Sequence, residues 1–137
     1  MKVNNQGEYE IAQMEEVTFW TGWDSHWNGR LIAGYEVKYE QIQGGSTPYY
    51  KHLAPHGRGR GALQAHTFKF EKGEYIICLW ARTGGAVDNI EFQTNKMRYF
   101  DAGCTGGTFR QFTTVCGANQ HPRILAFGCT HGPYDVT

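Results

Sequence analysis

Stretches in which apolar and polar side chains alternate recur roughly every 10–15 residues along this chain, with turn residues between them. That rhythm constrains the fold more than any other feature. The clearest case is "LIAGYEVKYEQI", where Tyr35, Val37 and Tyr39 fall on one side of a strand and Glu36, Lys38 and Glu40 on the other. "HTFKFEKGEYIICLWA" reads as two strands joined at Glu71-Lys72-Gly73-Glu74, and "NIEFQTNKMRYFDAG" as two more around Thr94-Asn95-Lys96. "TFRQFTTV" and "RILAFG" are the last two strands. Nearer the start, "YEIAQMEEVTFW" alternates imperfectly and is interrupted by "TGWDSHWNGR". "QGGSTPYYKHLAPHGRGRGAL", with two prolines and five glycines, reads as loop. No segment sustains a period of about 3.6 residues, so the predicted class is all-β.

Composition narrows the function. Lys plus Arg and Asp plus Glu are 13 each, which removes the positive surplus that nucleic acid demands. No run approaches the ~20 apolar residues of a membrane span, and "MKVNNQGEYE" lacks the apolar segment of a signal peptide. The expectation is one domain over residues 1–137, secreted in mature form, with a cytosolic location left open. Cys78, Cys104, Cys116 and Cys129 do not make the paired C-x-x-C spacing of a structural zinc site. An even count in a turn-rich β domain favours disulfides if the protein is secreted, and Cys104 with Cys116, flanking a candidate hairpin, is the first pair to expect. The alternative is four buried thiols, which suits Cys78 in "EYIICLWA" best. His26, His52, His56, His66, His121 and His131 fall mostly in loops without a metal-ligand spacing, so neither catalysis nor a metal is expected.

Between two predicted strands stands "ARTGGAVDNI". A minimal hairpin needs only Asn-Gly or Asp-Gly. Two glycines, two small apolar residues and a carboxylate instead suggest a loop shaped to present its backbone to something. The surrounding "FEKGEYIICLWARTGGAVDNIEFQTNKMRYFDAGCTGGTF" resembles the jacalin-related lectins. Gly73-Glu74-Tyr75-Ile76, Thr94-Asn95-Lys96 and Gly103-Cys104-Thr105-Gly106-Gly107-Thr108-Phe109 stand in that family's order, and the resemblance runs from about Tyr9 to Asp135.

The resemblance implies a β-prism I of three Greek-key four-stranded sheets and a non-catalytic, carbohydrate-binding protein without metal or cofactor. It implies a sugar gripped by Gly84, Gly85, Ala86, Val87 and Asp88, opposed by Gly106 and Gly107. The chemistry suits: a carboxylate accepts hydroxyl protons, and backbone N–H groups donate to hydroxyl oxygens. The plainer alternative has Asp88 capping the turn and the glycines only supplying positive φ. A second site is implied in the last loop, where His131, Gly132, Tyr134 and Asp135 make an altered version of the motif with Pro133 removing a donor. A third candidate is the turn holding Trp23, Asp24 and Trp27, where exposed rings could pack on sugar faces, opposed by Gly57 to Gly61. The alternative is that these tryptophans pack under the loop.

The family's usual first turn and last strand are not found here, which predicts one unit short of outer strands and completed by a partner protomer. The expected partners are therefore glycans, of glucose or mannose type or related, and a second copy of the chain in a homodimer, by strand exchange or edge pairing. The competing reading is a structural matrix protein that keeps the scaffold with reduced sugar binding.

Overall fold

The computed structural model describes residues 2–3, 9–10, 13–25, 28–39, 49–53, 62–112 and 124. All regular structure among them is β. Strands β3 (Met14–Asp24), β4 (Gly29–Tyr39), β5 (Tyr49–Leu53) and β6 (Gln64–Lys69) form one antiparallel sheet in the order β5-β4-β3-β6. Strands β7 (Ile76–Thr83), β8 (Val87–Thr94), β9 (Tyr99–Gly103) and β10 (Thr108–Gln111) form another in the order β10-β7-β8-β9. In each sheet the fourth strand returns to lie beside the first, the Greek-key arrangement. A short pair, β1 (Lys2–Val3) with β2 (Tyr9–Glu10), and a bridge between Ile76 and Ile124 complete the described structure. The stretch expected to supply most of a third unit lies outside the described residues.

Alternation does what the sequence reading expects of it. Tyr35 and Val37 are buried, and Glu36 and Lys38 lie on the other face. The two sheets meet through Phe19, Tyr35 and Phe68 on one side and Phe92 and Phe100 on the other. Phe92 stacks on Phe100 at 4.8 Å, and Phe68 sets its edge to Phe92 at 5.0 Å. Phe19 reaches Phe100 at 5.8 Å. Each buried ring contributes about 1.5–3 kcal/mol by leaving water, and each such pair adds roughly 0.5–1.5 kcal/mol.

Two strand expectations need correction. Tyr49–Leu53, read as loop, is strand β5, an edge strand whose flanking prolines and glycines hide a run of only five residues. Strand β3 continues through Thr21-Gly22-Trp23-Asp24, where a turn was expected. Trp20 pairs with Gly34 and Thr21 with Ile32, so Ala33 is the extra residue of a bulge that lets the hairpin run on to Asp24 and Gly29.

Antiparallel order fixes which connections share an end. The β7–β8 and β9–β10 loops lie at one end of their sheet, and the β6–β7 and β8–β9 turns at the other. That second end is closed by Glu74, which is fully buried. Its carboxylate accepts from the Glu71 backbone N–H (2.8 Å), the Thr94 hydroxyl (2.6 Å) and the Arg98 guanidinium (2.7 Å). Arg98 also donates to the Lys69 carbonyl and lies 4.3 Å from the Phe68 ring centroid. Asn95 accepts from the Tyr75 N–H and donates to the Gly73 carbonyl, and the Gln13 amide donates to the carbonyls of Glu71 and Glu74. A buried charge needs this kind of complete pairing.

The first disulfide pair to expect is overturned. Cys104 carries a free thiol, so the Cys104–Cys116 disulfide is not formed. Its sulfur turns instead towards Gly29, where an added Cβ would stand 3.3 Å away, and towards the Asp88 carboxylate. Cys78, which the alternative reading takes as a buried thiol, is buried but disulfide-bonded.

Candidate functional site

The chain from Thr83 to Asp88 is shaped by one extra residue. Arg82 pairs with Asn89 and Thr83 with Val87, which leaves Asp88 unpaired as the bulged residue of β8. A bulge re-aims a side chain that a regular ladder would send to the sheet face. The freed Asp88 carbonyl is taken by the Cys104 N–H at 2.8 Å, which ties the β7–β8 hairpin to the β9–β10 loop. Ala86 and Val87 are buried under the hairpin, while Gly84 and Gly85 form its exposed tip. The Gly84 N–H closes on the Ala86 carbonyl at 2.9 Å. That donor serves the turn itself.

The opposing loop explains its own glycines. Gly107 has φ +71°, and a Cβ there would come within 2.5 Å of Asp88 Oδ2 and 3.0 Å of the Thr83 backbone. A Cβ on Gly106 would stand 2.9 Å from Asp88 Oδ1. At Gly103 (φ +114°) it would collide with the Asp88 carbonyl. The backbone of this loop therefore approaches the carboxylate as closely as bare Cα atoms permit.

The Asp88 carboxylate is left with little among the described residues. Its hydrogen-bond partner among the described residues is the Cys104 thiol, a weak donor at 3.9 Å from Oδ1. Burial pushes its pKa above the ordinary carboxylate value; the thiol contact and the charge of Arg82 act in the opposite direction. A half-buried carboxylate with one weak donor keeps acceptor capacity that the described residues do not fill. Arg82 donates to the Thr105 carbonyl at 3.4 Å and lies 5.9 Å from the centroid of the half-exposed Phe109 ring. Arg110 donates through Nε to the Thr83 hydroxyl at 2.8 Å.

The structure thus brings Gly84, Gly85, Ala86, Val87, Asp88, Gly106 and Gly107 together at one end of one sheet. The third candidate is built differently. Trp23 is 43% exposed, but Asp24 is 1% exposed, and the β3–β4 hairpin closes in regular register, Trp23 opposite Arg30 and Asp24 opposite Gly29. Trp27 and the opposing Gly57 to Gly61 lie outside the described residues, as do His131, Gly132, Tyr134 and Asp135. Reading the sequence missed Arg82 and the Cys104 thiol as neighbours of the site. Two-residue alternation from Trp80 would have put Arg82 on the outer face, but nothing in the letters marks the bulge.

Known proteins agree with this architecture. The family model of the jacalin-like lectin domain matches residues 6–134. Among solved structures, the fold is similar to AcmJRL, a mannose-binding jacalin-related lectin from Ananas comosus, at 20% identity and TM-score 0.59, covering 94% of this chain and 80% of that one. It is similar to a prostate-specific WGA16 glycoprotein lectin at 19% identity and TM-score 0.56, covering 87% and 70%. PirB shares 19% identity at TM-score 0.58 over 81% of this chain, which spans only 24% of the PirB chain. No curated protein sequence matches at the stringency applied. With the family match running over nearly its whole length, the chain belongs to the jacalin-like lectin domain family.

Proposed function

We infer that this protein is a non-catalytic lectin whose sugar site is the cleft between the Gly84–Asp88 hairpin and the Gly106–Gly107 loop. The observation that carries this reading is the Asp88 carboxylate, re-aimed by a bulge, roofed by glycine backbone and matched among the described residues only by a thiol. Sugar hydroxyls supply the donors it lacks, and charge assistance makes those bonds about twice as strong as neutral ones. The ligands proposed are glucose- or mannose-type or related oligosaccharides. The test is a glycan array probed with the intact protein and with Asp88→Ala. Binding that disappears in the variant, while its melting transition persists, supports the reading. Equal binding by both moves the site to another loop, and no binding by either supports a scaffold protein instead.

The raised pKa of Asp88 gives a pH signature with a definite sign. Hydroxyl donors favour the ionised form, so affinity is expected to fall on acidification, beginning above the ~3.9 of a free aspartate. Ionising a group whose folded-state pKa is raised costs stability: its contribution is present below the unfolded pKa and is lost as pH rises through the folded one. Asp88→Asn is therefore expected to lose sugar while melting no lower than the parent at neutral pH. Paired binding isotherms and melts from about pH 4 to 8 check both statements.

The homodimer is part of the same proposal. Among the described residues strand β10 is an edge, with Phe112 59% accessible beyond it, a surface that invites pairing. Two weak sites on one dimer would cross-link polysaccharide by avidity. Light scattering under non-reducing conditions is expected to give twice the chain mass of 15.5 kDa; a single-chain mass overturns the dimer. Secretion is proposed as well, supported by the disulfide-bonded Cys78, which fits an oxidising compartment.

A further inference from the structure

Arg82 stands where both walls of the Asp88 cleft come within reach. On β7 it pairs with Asn89, the residue that follows the bulged Asp88. A terminal nitrogen of its guanidinium donates to the Thr105 carbonyl at 3.4 Å, in the loop that also carries Gly106 and Gly107 over the carboxylate. Phe109 lies opposite Arg82 across the β10–β7 pair, so the two share the outer face of the sheet, with the guanidinium 5.9 Å from the ring centroid. Arg110, opposite Ala81, belongs to the other face. A guanidinium held beside a ring and tied to a carbonyl has already given up part of its rotamer freedom.

The elements around the Asp88 carboxylate bring few charges to it. The β9–β10 loop brings the Cys104 thiol, 3.9 Å from Oδ1. The β3–β4 hairpin reaches that sulfur through Gly29, which adds no side chain. Strand β7 brings Arg82. Burial works against the ionised carboxylate, and the thiol contact and the Arg82 charge offset it. Arg82 makes no ion pair of its own among the described residues, whereas Lys38, Lys96 and Arg98 each have a carboxylate partner. Its one hydrogen bond to the loop and its charge beside Asp88 therefore serve the same cleft.

We propose that Arg82 is a positioning residue for the sugar site: it ties the β9–β10 loop down over Asp88 and sets its positive charge beside the carboxylate, acting through these two parts and not on the sugar. The proposal rests on the Asp88 cleft being the sugar site. The two roles make different demands on the side chain. Any cation supplies the charge, but the planar guanidinium can hold the Thr105 carbonyl by one edge while its face stays by Phe109. Arg82→Lys keeps the first role and gives up the second.

The test compares the parent protein with Arg82→Met, Arg82→Lys and Lys96→Met, the last removing one charge at the β8–β9 turn, the far end of the sheet. Affinity for the glucose- or mannose-type oligosaccharide bound most tightly on the array is measured from about pH 4 to 8. The Asp88 carboxyl carbon is titrated by NMR in the free proteins. Methionine keeps the aliphatic stem and loses both donor and charge. Arg82→Met is expected to raise the carboxyl midpoint, because the ionised form loses its neighbouring cation. On acidification its affinity should therefore fall away at a higher pH than the parent's. At neutral pH it should bind about fivefold more weakly, the scale of one modest hydrogen bond lost from the loop. Arg82→Lys should keep the parent's acid limb and fall between the two in neutral-pH affinity. Lys96→Met should match the parent in both, and the midpoint difference should shrink as salt is raised. An Arg82→Met midpoint equal to the parent's, a shift shared by Lys96→Met, or an unchanged neutral-pH affinity in Arg82→Met overturns the positioning role and leaves the Asp88 cleft standing. Binding that ignores Asp88→Ala, or no binding of any such oligosaccharide by the parent, overturns both.

Discussion

Arg98→Met is expected to destabilise the protein by about 3 kcal/mol, the low end of the cost of stranding a buried charge, because Glu74 is buried while Arg98 is 38% exposed. Glu74 has no access to water, and its remaining donors would be one backbone N–H and one hydroxyl. Methionine keeps much of the packing beneath the guanidinium on Phe68, so the loss reads the charge rather than a cavity. For a domain of this size the melting temperature should fall by roughly 10 °C. Lys96→Met is the control: Lys96 pairs with the exposed Glu71 at 3.3 Å, and such a surface pair contributes under about 1 kcal/mol. Pairing Arg98→Met with Glu74→Gln should recover part of the loss, because a neutral amide is cheaper to bury than an unpaired carboxylate. Thermal and urea melts of the four proteins decide it. A cost for Arg98→Met no larger than for Lys96→Met would contradict the role given to this network.

Gly107→Ala is the second large effect, and it acts on the site. The residue stands at φ +71°, where a side chain costs about 1–2 kcal/mol in the backbone alone. Its Cβ would also enter the space of Asp88 Oδ2 and press on the Thr83 backbone. The carboxylate must swing away or the loop must lift, and either displaces the acceptor from its place. Affinity for the glycan identified on the array is expected to fall about 100-fold, the scale on which a misplacement near 1 Å is felt at a preorganised site. Gly84→Ala gives the contrast in stability: nothing lies within 4 Å of its added Cβ, so its melt should match the parent's. Isothermal titration with melts of both variants checks the pair of statements. Unchanged affinity in Gly107→Ala would mean that the loop does not set the position of Asp88.

How much of this was legible in the sequence depends on what kind of fact is asked for. The faces of β4, β8 and β9 follow from alternation, because burying one face fixes the register of Tyr35, Val37, Phe92 and Phe100. The turn at Thr94-Asn95-Lys96 is legible from its residues, and the structure gives the reason: Asn95 bonds across to Tyr75 and Gly73. The Greek-key order is not contained in periodicity, since alternation assigns faces and not neighbours; it came through the family resemblance. The bulge at Asp88 has no letter of its own, and neither does the bulge at Ala33 that carried β3 past its expected end. Cysteine pairing failed for a related reason. Cys104 and Cys116 are near in sequence, but the Cys104 side chain is aimed at Asp88 and Gly29, a direction that sequence separation does not encode. Glu74 looked like one turn residue among several, and only the fold shows that it is a buried charge.

The central claim is that the Asp88 carboxylate receives sugar hydroxyls, and a titration of that carboxylate tests it most directly. Its carboxyl carbon would be followed by NMR as pH is lowered, in the free protein and with saturating glycan from the array. The free midpoint is expected above the ordinary aspartate value, because burial is only weakly opposed by the Cys104 thiol and the charge of Arg82. Bound hydroxyls donate to the ionised form, so saturation should pull the midpoint down. A midpoint that stays where it was, or rises, when the glycan is bound would contradict the account.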